Sequence, residues 1–191
     1  KAIADLRAEL KVVLAMGEYY DHARFGIAHT YHSLSSGQRF LKNASNDYKQ
    51  LPALDLPIFI VGNGPSLDQC FEYLKEYRDQ VILISCGTAL KALHKNGICP
   101  DFHAEIEQNR ATYDWITQID DLQYLGNIRL LSVNGIHPDT AALFKETLLC
   151  FKDGESSTNF FDSRLKKQGV TGTAATPLFR HPENVVSTNS N

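Results

Sequence analysis

Pro57-Ile58-Phe59-Ile60-Val61-Gly62-Asn63-Gly64-Pro65-Ser66-Leu67-Asp68 is the stretch that decides the fold. The apolar run Ile58 to Val61 reads as a buried parallel strand. It stops at two glycines that bracket an asparagine. Pro65 follows at a first helical position, where its fixed φ fits and its missing N–H leaves no helical bond unmade. Ser66 and Gln69 have the spacing of a capping box. Strand, glycine turn and helix N-terminus together make an anion site, with backbone N–H groups and the positive end of a helix dipole converging on one point. The ligand expected there is a nucleotide phosphate.

Two familiar nucleotide motifs do not fit. A dinucleotide fingerprint needs a third glycine where this chain has Leu67, and a carboxylate at the end of the second strand. The second strand, Val81-Ile82-Leu83-Ile84, runs into Ser85-Cys86-Gly87-Thr88 instead. A P-loop needs Gly-Lys-Ser/Thr after the glycines, and none follows.

Working outward, strands alternate with helices. Strands are expected at 57–62, 80–85, 101–107, 128–133 and 147–151. Helices are expected near 66–78, 88–96 and 138–145, with an amphipathic stretch over 113–124 and Asn96-Gly97 as a helix stop. This order specifies an α/β fold, a Rossmann-like open parallel sheet with right-handed crossovers and flanking helices. Ligands of such sheets sit beyond the carboxyl ends of the strands, so loops 62–66, 85–88, 105–110 and 134–137 are expected to share one crevice. There Gly62 and Gly64 let backbone approach a phosphate, and Asn63 offers an amide to a ribose or phosphate oxygen or serves as a turn residue. Ser66 donates to phosphate or caps the helix.

The third strand places Asp101, His103, Glu105 and Glu107 on one face and Phe102, Ala104 and Ile106 on the other. Polar residues on a parallel strand mean either a site at the sheet's mouth or a solvated edge strand. Glu107 and Asn109, nearest the crevice, are the ligand candidates. Glu105 and Glu107 are the weak metal candidates, because hard cations choose carboxylates. His103 reads as structural.

The flanks differ from this core. Residues 1–50 form a helical N-terminal segment or connector ahead of the domain at 51–191. Ile3, Leu6, Leu10, Val13 and Leu14 recur at helical spacing, with a break at Ser35-Ser36-Gly37 and a linker over 43–55. His29 and His32, three residues apart, read as a packing or solvated pair with no carboxylate to complete a metal triad. Beyond residue 152, Ser156–Asn159 and Thr171–Thr173 read as ligand-facing loops, and no further strand is expected. The chain begins inside a helical pattern, as a piece of a larger protein would.

Composition narrows the function classes. The 191 residues are 43% hydrophobic and 21% charged, with net charge −3, so no global field favours nucleic acid. Cys70, Cys86, Cys99 and Cys150 show neither a C-x-x-C pair nor zinc spacing, and reduced thiols in a cytoplasmic protein are expected. No apolar run is long enough for a membrane span and no signal peptide is seen.

Val61-Gly62-Asn63-Gly64-Pro65-Ser66-Leu67 resembles the opening motif of bacterial sialyltransferases that use CMP-sialic acid. Three blocks together resemble the motility accessory factor family over roughly residues 51 to 150: Gly62–Asp68, Ile84–Leu93 and Gly97–Glu107. That family is associated with flagellin glycosylation and shares its core with archaeal 6-hydroxymethylpterin pyrophosphokinases. The resemblance implies transfer of a nonulosonic, sialic-acid-like sugar from a CMP donor to Ser/Thr of flagellin. It places Gly62, Asn63, Gly64, Pro65 and Ser66 around the donor. It adds Ser85, Gly87 and Thr88, although Thr88 also suits a helix N-cap. No general base is named by it and no resident cofactor is certain. The pyrophosphokinase alternative would use magnesium–ATP at the same loop, and a third alternative is a non-catalytic nucleotide- or flagellin-binding module. In this family the sheet continues past residue 152 with a Thr/Asn-bearing helix and another strand.

Overall fold

The computed structural model describes residues 20–41, 56–152, 155–167 and 180–181. Helix α1 (Tyr20–Ser35) precedes a short strand β1 (Arg39–Phe40). Strand β2 (Ile58–Val61), a 3-10 turn (Pro65–Gln69) and α2 (Phe71–Glu76) follow. The alternation continues through β3 (Ile82–Cys86), α3 (Ala89–Lys95), β4 (Phe102–Glu105), α4 (Arg110–Ile116), α5 (Leu122–Leu125), β5 (Arg129–Val133), α6 (Pro138–Ala142) and β6 (Glu146–Lys152). Helix α7 (Ser156–Lys167) and β7 (Arg180–His181) complete the described chain.

All strand pairs are parallel, in the order β1-β6-β5-β4-β3-β2, with β7 also on β6. This is the open parallel α/β sheet with flanking helices that the alternation specified. Five successive strands step across the sheet in one direction. Right-handed crossovers then put α2 to α6 on one face. That face holds two apolar clusters, one around Leu83, Leu74 and Leu93, the other around Leu130, Ile116 and Leu149. Leu83, Leu90, Leu93, Leu130 and Leu149 are each fully buried, worth about 1.5–3 kcal/mol apiece.

Four local expectations change. The single helix expected near 66–78 is a 3-10 turn, a short α2 and a second 3-10 turn at Arg78–Gln80. Gly64, not Ser66, is its N-cap, with no side-chain cap bond, although Pro65 does take the first position. Beyond residue 152 there is both a helix, α7, and a further strand, β7. Ser157 and Thr158 lie in the first turn of α7 and are fully buried, so Ser156–Asn159 is not a ligand-facing loop. Thr171–Thr173 and the linker at 43–55 lie outside the described residues. The break at Ser35-Ser36-Gly37 is where α1 ends, with Gly37 at φ +71°. Strand β1 lies before residue 50 yet pairs with β6, so the sheet draws on residues ahead of 51.

Strand β4 is central, not an edge. Its polar residues are partly paired, with the His103 Nε2 left without a hydrogen-bond partner. His103 is fully buried, its Nδ1 2.9 Å from the Ser85 hydroxyl and its ring stacked on Phe144. One oxygen of Glu105 accepts from the N–H groups of Ile106 and Glu107, closing the strand end.

Candidate functional site

The carboxyl ends of β2 and β3 lie side by side, since Val61 is in register with Ser85. The turns that leave them are tied together by one bond: the Asn63 side-chain amide donates to the Thr88 hydroxyl at 2.9 Å. Thr88 stands at the N-cap position of α3 but makes no side-chain cap bond, so its hydroxyl serves the neighbouring loop rather than its own helix. Gly62, Asn63, Gly64, Pro65, Ser66 and Thr88 are all exposed.

The glycines here are informative because of what surrounds them. A Cβ at Gly62 or Gly87 would meet no heavy atom within 4 Å, and one at Gly64 would meet only the Ser66 Oγ at 3.9 Å. Gly87 has φ +49°, a backbone conformation that favours glycine. Gly64 has φ −103° and ψ 165°, an extended conformation open to any residue. Gly62 is likewise outside the positive-φ set. At Gly62 and Gly64, neither backbone strain nor packing among the described residues calls for glycine.

The structure does not bring all the expected residues to this rim. Ser85 is fully buried, its hydroxyl against His103 and the Phe102 carbonyl, so a ligand contact through that hydroxyl is corrected to a core bond. Glu107 is exposed just past β4, next to β3, while Glu105 is buried with one carboxylate oxygen committed to two backbone N–H groups. Asn109 is half-buried at the start of α4 with its side-chain carbonyl unpaired. Among the described residues no group of three His, Cys, Asp or Glu side chains is placed to hold a metal ion. Burial drives the His103 imidazole down to about 4 and raises the Glu105 carboxyl above the usual carboxylate range. Ser85, His103 and Glu105 line up like a nucleophile relay. All three are buried, and the 4.0 Å gap from His103 Nε2 to Glu105 is too long for a hydrogen bond. They are a polar core and not a reaction centre.

The loop at 134–137 is roofed over. Asn134 is fully buried and its amide donates to Thr30 of α1 and Ser157 of α7. His29 Nδ1 lies 3.0 Å from the Gly135 carbonyl, and its ring meets His137 edge-on at 4.9 Å. Gln108 donates to Glu155, and Lys152 pairs with the same carboxylate at 2.7 Å. Exposed residues at the strand ends are therefore found past β2 and β3, at Gly62 to Ser66 and Thr88, and at Glu107 past β4. Helix α1 closes the rest, a role that its polar, weakly periodic sequence did not reveal. The signal was present in Gly26: a Cβ there would come 2.6 Å from the Gln108 Oε1.

The profile of the family described as 6-hydroxymethylpterin diphosphokinase MptE-like matches residues 28–180. The chain belongs to this family. Among solved structures, it resembles the MAf glycosyltransferase from Magnetospirillum magneticum AMB-1, with 29% identity and a TM-score of 0.59. The match covers 71% of this chain and 21% of that one, so the chain spans about a fifth of its relative's length. A protein of Treponema pallidum (strain Nichols), described there as uncharacterized, is 28% identical over 86 residues, 45% of this chain and 40% of that protein. The family profile and the solved structure together bear out the motility accessory factor resemblance. The family match runs from within α1 through β1 to the first residue of β7, beyond the motif-bearing core on both sides.

Proposed function

We propose that this domain binds a CMP-activated nonulosonic sugar and serves its transfer to a Ser/Thr hydroxyl of flagellin. The observation that carries the binding reading is the pair of glycines, Gly62 and Gly64, kept free of side chains at a strand end where the chain's own fold has no need of them. The glycosyl-transfer reading is supported by the likeness to the MAf glycosyltransferase.

The chemistry is displacement at the anomeric carbon, with CMP leaving. The N–H groups of Asn63, Gly64 and Ser66 stabilise charge growing on the departing phosphate. The Asn63 amide and Thr88 hydroxyl, already joined, each keep further hydrogen-bonding capacity for the nucleotide. Glu107, exposed just past β4, and Asn109, at the start of α4, would lie toward the sugar in this reading. A base must take the acceptor's proton, and the described residues assign none.

The second reading, magnesium–ATP pyrophosphoryl transfer to a pterin, is favoured by the likeness to the 6-hydroxymethylpterin diphosphokinase MptE-like family. Glu107 would then supply a carboxylate to a magnesium ion otherwise held by substrate phosphates. Thermal shift separates the readings. Stabilisation by CMP without magnesium supports the first, whereas stabilisation by ATP only with magnesium supports the second. Flagellin binding without turnover of any CMP-sugar supports a non-catalytic module.

A further inference from the structure

Helix α1 meets the turns after β4 and β5 through contacts of two kinds. One kind is indifferent to pH. Thr30 accepts from the Asn134 amide at 2.9 Å, and Gly26 leaves room for the Gln108 side chain. The other kind is a pair of half-buried histidines, His29 on α1 and His137 ahead of α6. The His29 ring meets His137 edge-on at 4.9 Å and lies parallel to Phe25 at 6.1 Å.

The bonds of the two rings assign their protons. A carbonyl only accepts, so the His29 Nδ1, 3.0 Å from the Gly135 oxygen, carries a hydrogen. The His137 Nδ1 accepts from the Asp139 N–H at 3.2 Å, so that nitrogen is bare and the ring is neutral. Protonating His137 there breaks this bond and sets a cation against the edge of His29. Burial holds the His29 imidazole below its usual value, and His137 and His32 push it the same way. The Gly135 bond and Asp139 act oppositely, but the Asp139 carboxylate is already paired with Arg110 of α4. Ahead of α7, Glu155 is taken up by Lys152 and Gln108, and on α1 itself Asp21 pairs with Arg24.

We propose that His29 and His137 form an acid-sensitive catch. With both rings neutral α1 is closed over the ends of β4 and β5, and protonation of the pair releases it from the turn after β5. A buried neutral His29 takes up a proton less readily than a free imidazole. Closure is therefore fully present above about pH 6.5 and is lost as pH falls below it. Release uncovers Gln108 and Asn134, both buried while α1 is closed. The catch is independent of the nucleotide reading.

The test is amide hydrogen exchange of the full chain at pH 7.5 and pH 5.5, corrected for the intrinsic pH dependence of exchange. Peptides from α1 should lose protection about threefold or more at the lower pH. A chain with His29→Gln and His137→Asn keeps a donor for Gly135 and an acceptor for Asp139 but takes up no proton at either position. Its α1 protection should be equal at the two pH values. Unchanged protection of α1 in the wild type, or an equal loss in wild type and double variant, overturns the proposal. So does protection of α1 that matches β5 throughout, because α1 would then open only with the whole fold. A second arm needs no variant: NMR titration of the His29 and His137 ring protons should follow the same pH range as the loss of α1 protection. Titration of both rings with α1 still protected overturns the catch.

Discussion

Gly64→Val separates a ligand site from a turn, because the structure makes opposite forecasts for stability and binding. Gly64 sits at φ −103°, ψ 165°, which suits valine, and the nearest atom to the added Cβ is 3.9 Å away. Folding should therefore be unharmed. Restricting the unfolded chain can add about 0.4–1 kcal/mol of stability. Binding should fail for a steric reason. A phosphate oxygen must come within about 3 Å of the backbone N–H groups to accept from them, and the valine methyls stand in that space. Each charge-assisted bond lost is worth about 1.5–3 kcal/mol, a loss of roughly 10- to 150-fold in affinity. Calorimetric titration of CMP beside urea melts of both proteins reads the two quantities together. Gly97→Val supplies the contrast. Gly97 has φ +69° with open space around it, so valine there should destabilise by about 1–2 kcal/mol and leave CMP affinity alone. Unchanged CMP affinity in stable Gly64→Val would refute the reasoning and leave the loop a structural turn.

The Asn63–Thr88 bridge should behave as one unit. Asn63→Ala, Asn63→Gly and Thr88→Val should each weaken CMP binding about threefold to tenfold, and the double variant should fall short of the sum of its parts. Wild-type affinity in Asn63→Gly at an unchanged melting temperature would show that Asn63 serves only the backbone. Gly135→Ala puts a Cβ 2.8–3.0 Å from the buried Gln108 amide and should cost about 1–3 kcal/mol in urea unfolding, with no further loss expected when it is added to Gln108→Ala, which itself loses the bond to Glu155. Stability should also fall in acid. The His103 value of about 4 lies below its ordinary 6.5, so the unfolded chain takes up the proton first, and stability held above pH 6.5 is lost as pH falls toward 4. That is about 2 kcal/mol between pH 6.5 and 5, removed in His103→Gln, and a flat urea midpoint across that range in the wild type contradicts it. Glu105, raised by burial, acts with the opposite sign, its stabilisation present at low pH and lost as pH rises through its folded value, so Glu105→Gln should steepen the acid loss.

The sheet was legible because its strands are short apolar runs separated by turn residues, and a fully covered parallel strand leaves that mark whatever its neighbours are. Strands expected at 57–62, 80–85, 101–107, 128–133 and 147–151 fall at 58–61, 82–86, 102–105, 129–133 and 146–152. Gly97 terminates α3 as Asn96-Gly97 foretold, with Gly97 and Ile98 donating back to His94 and Leu93. Segments held by few residues were harder to see. Strand β1 has two residues and β7 has two, each stabilised by pairing with β6 rather than by a pattern of its own. Helix α2 broke up because Cys70 and Tyr77 interrupt it, a tertiary outcome that its propensity does not encode.

For the site, the sequence located the loops but not which of their polar side chains the fold buries. Ser85 and Thr88 are three residues apart, each bearing a hydroxyl at the end of β3, and nothing in the string distinguishes them. The pleat does: Ser85 falls on the helix-covered face with His103, and Thr88 lies past the strand, free to meet Asn63. The same parity explains β4. His103 and Glu105 point into the covered face, where each is taken up by Ser85 or by backbone N–H groups, and Glu107 clears the strand end into solvent. The buried network of Thr30, Asn134, Ser157, Gln108 and Glu155 lies at the carboxyl ends of β4 and β5, where a ligand of such a sheet would be sought. It is instead the seal that ties α1 and α7 to the sheet. Polar residues at a strand end are thus evidence of a ligand only where no element of the chain satisfies them. The turns after β2 and β3 differ in that Gly62 to Ser66 and Thr88 are exposed, which is why the proposed binding site is placed there.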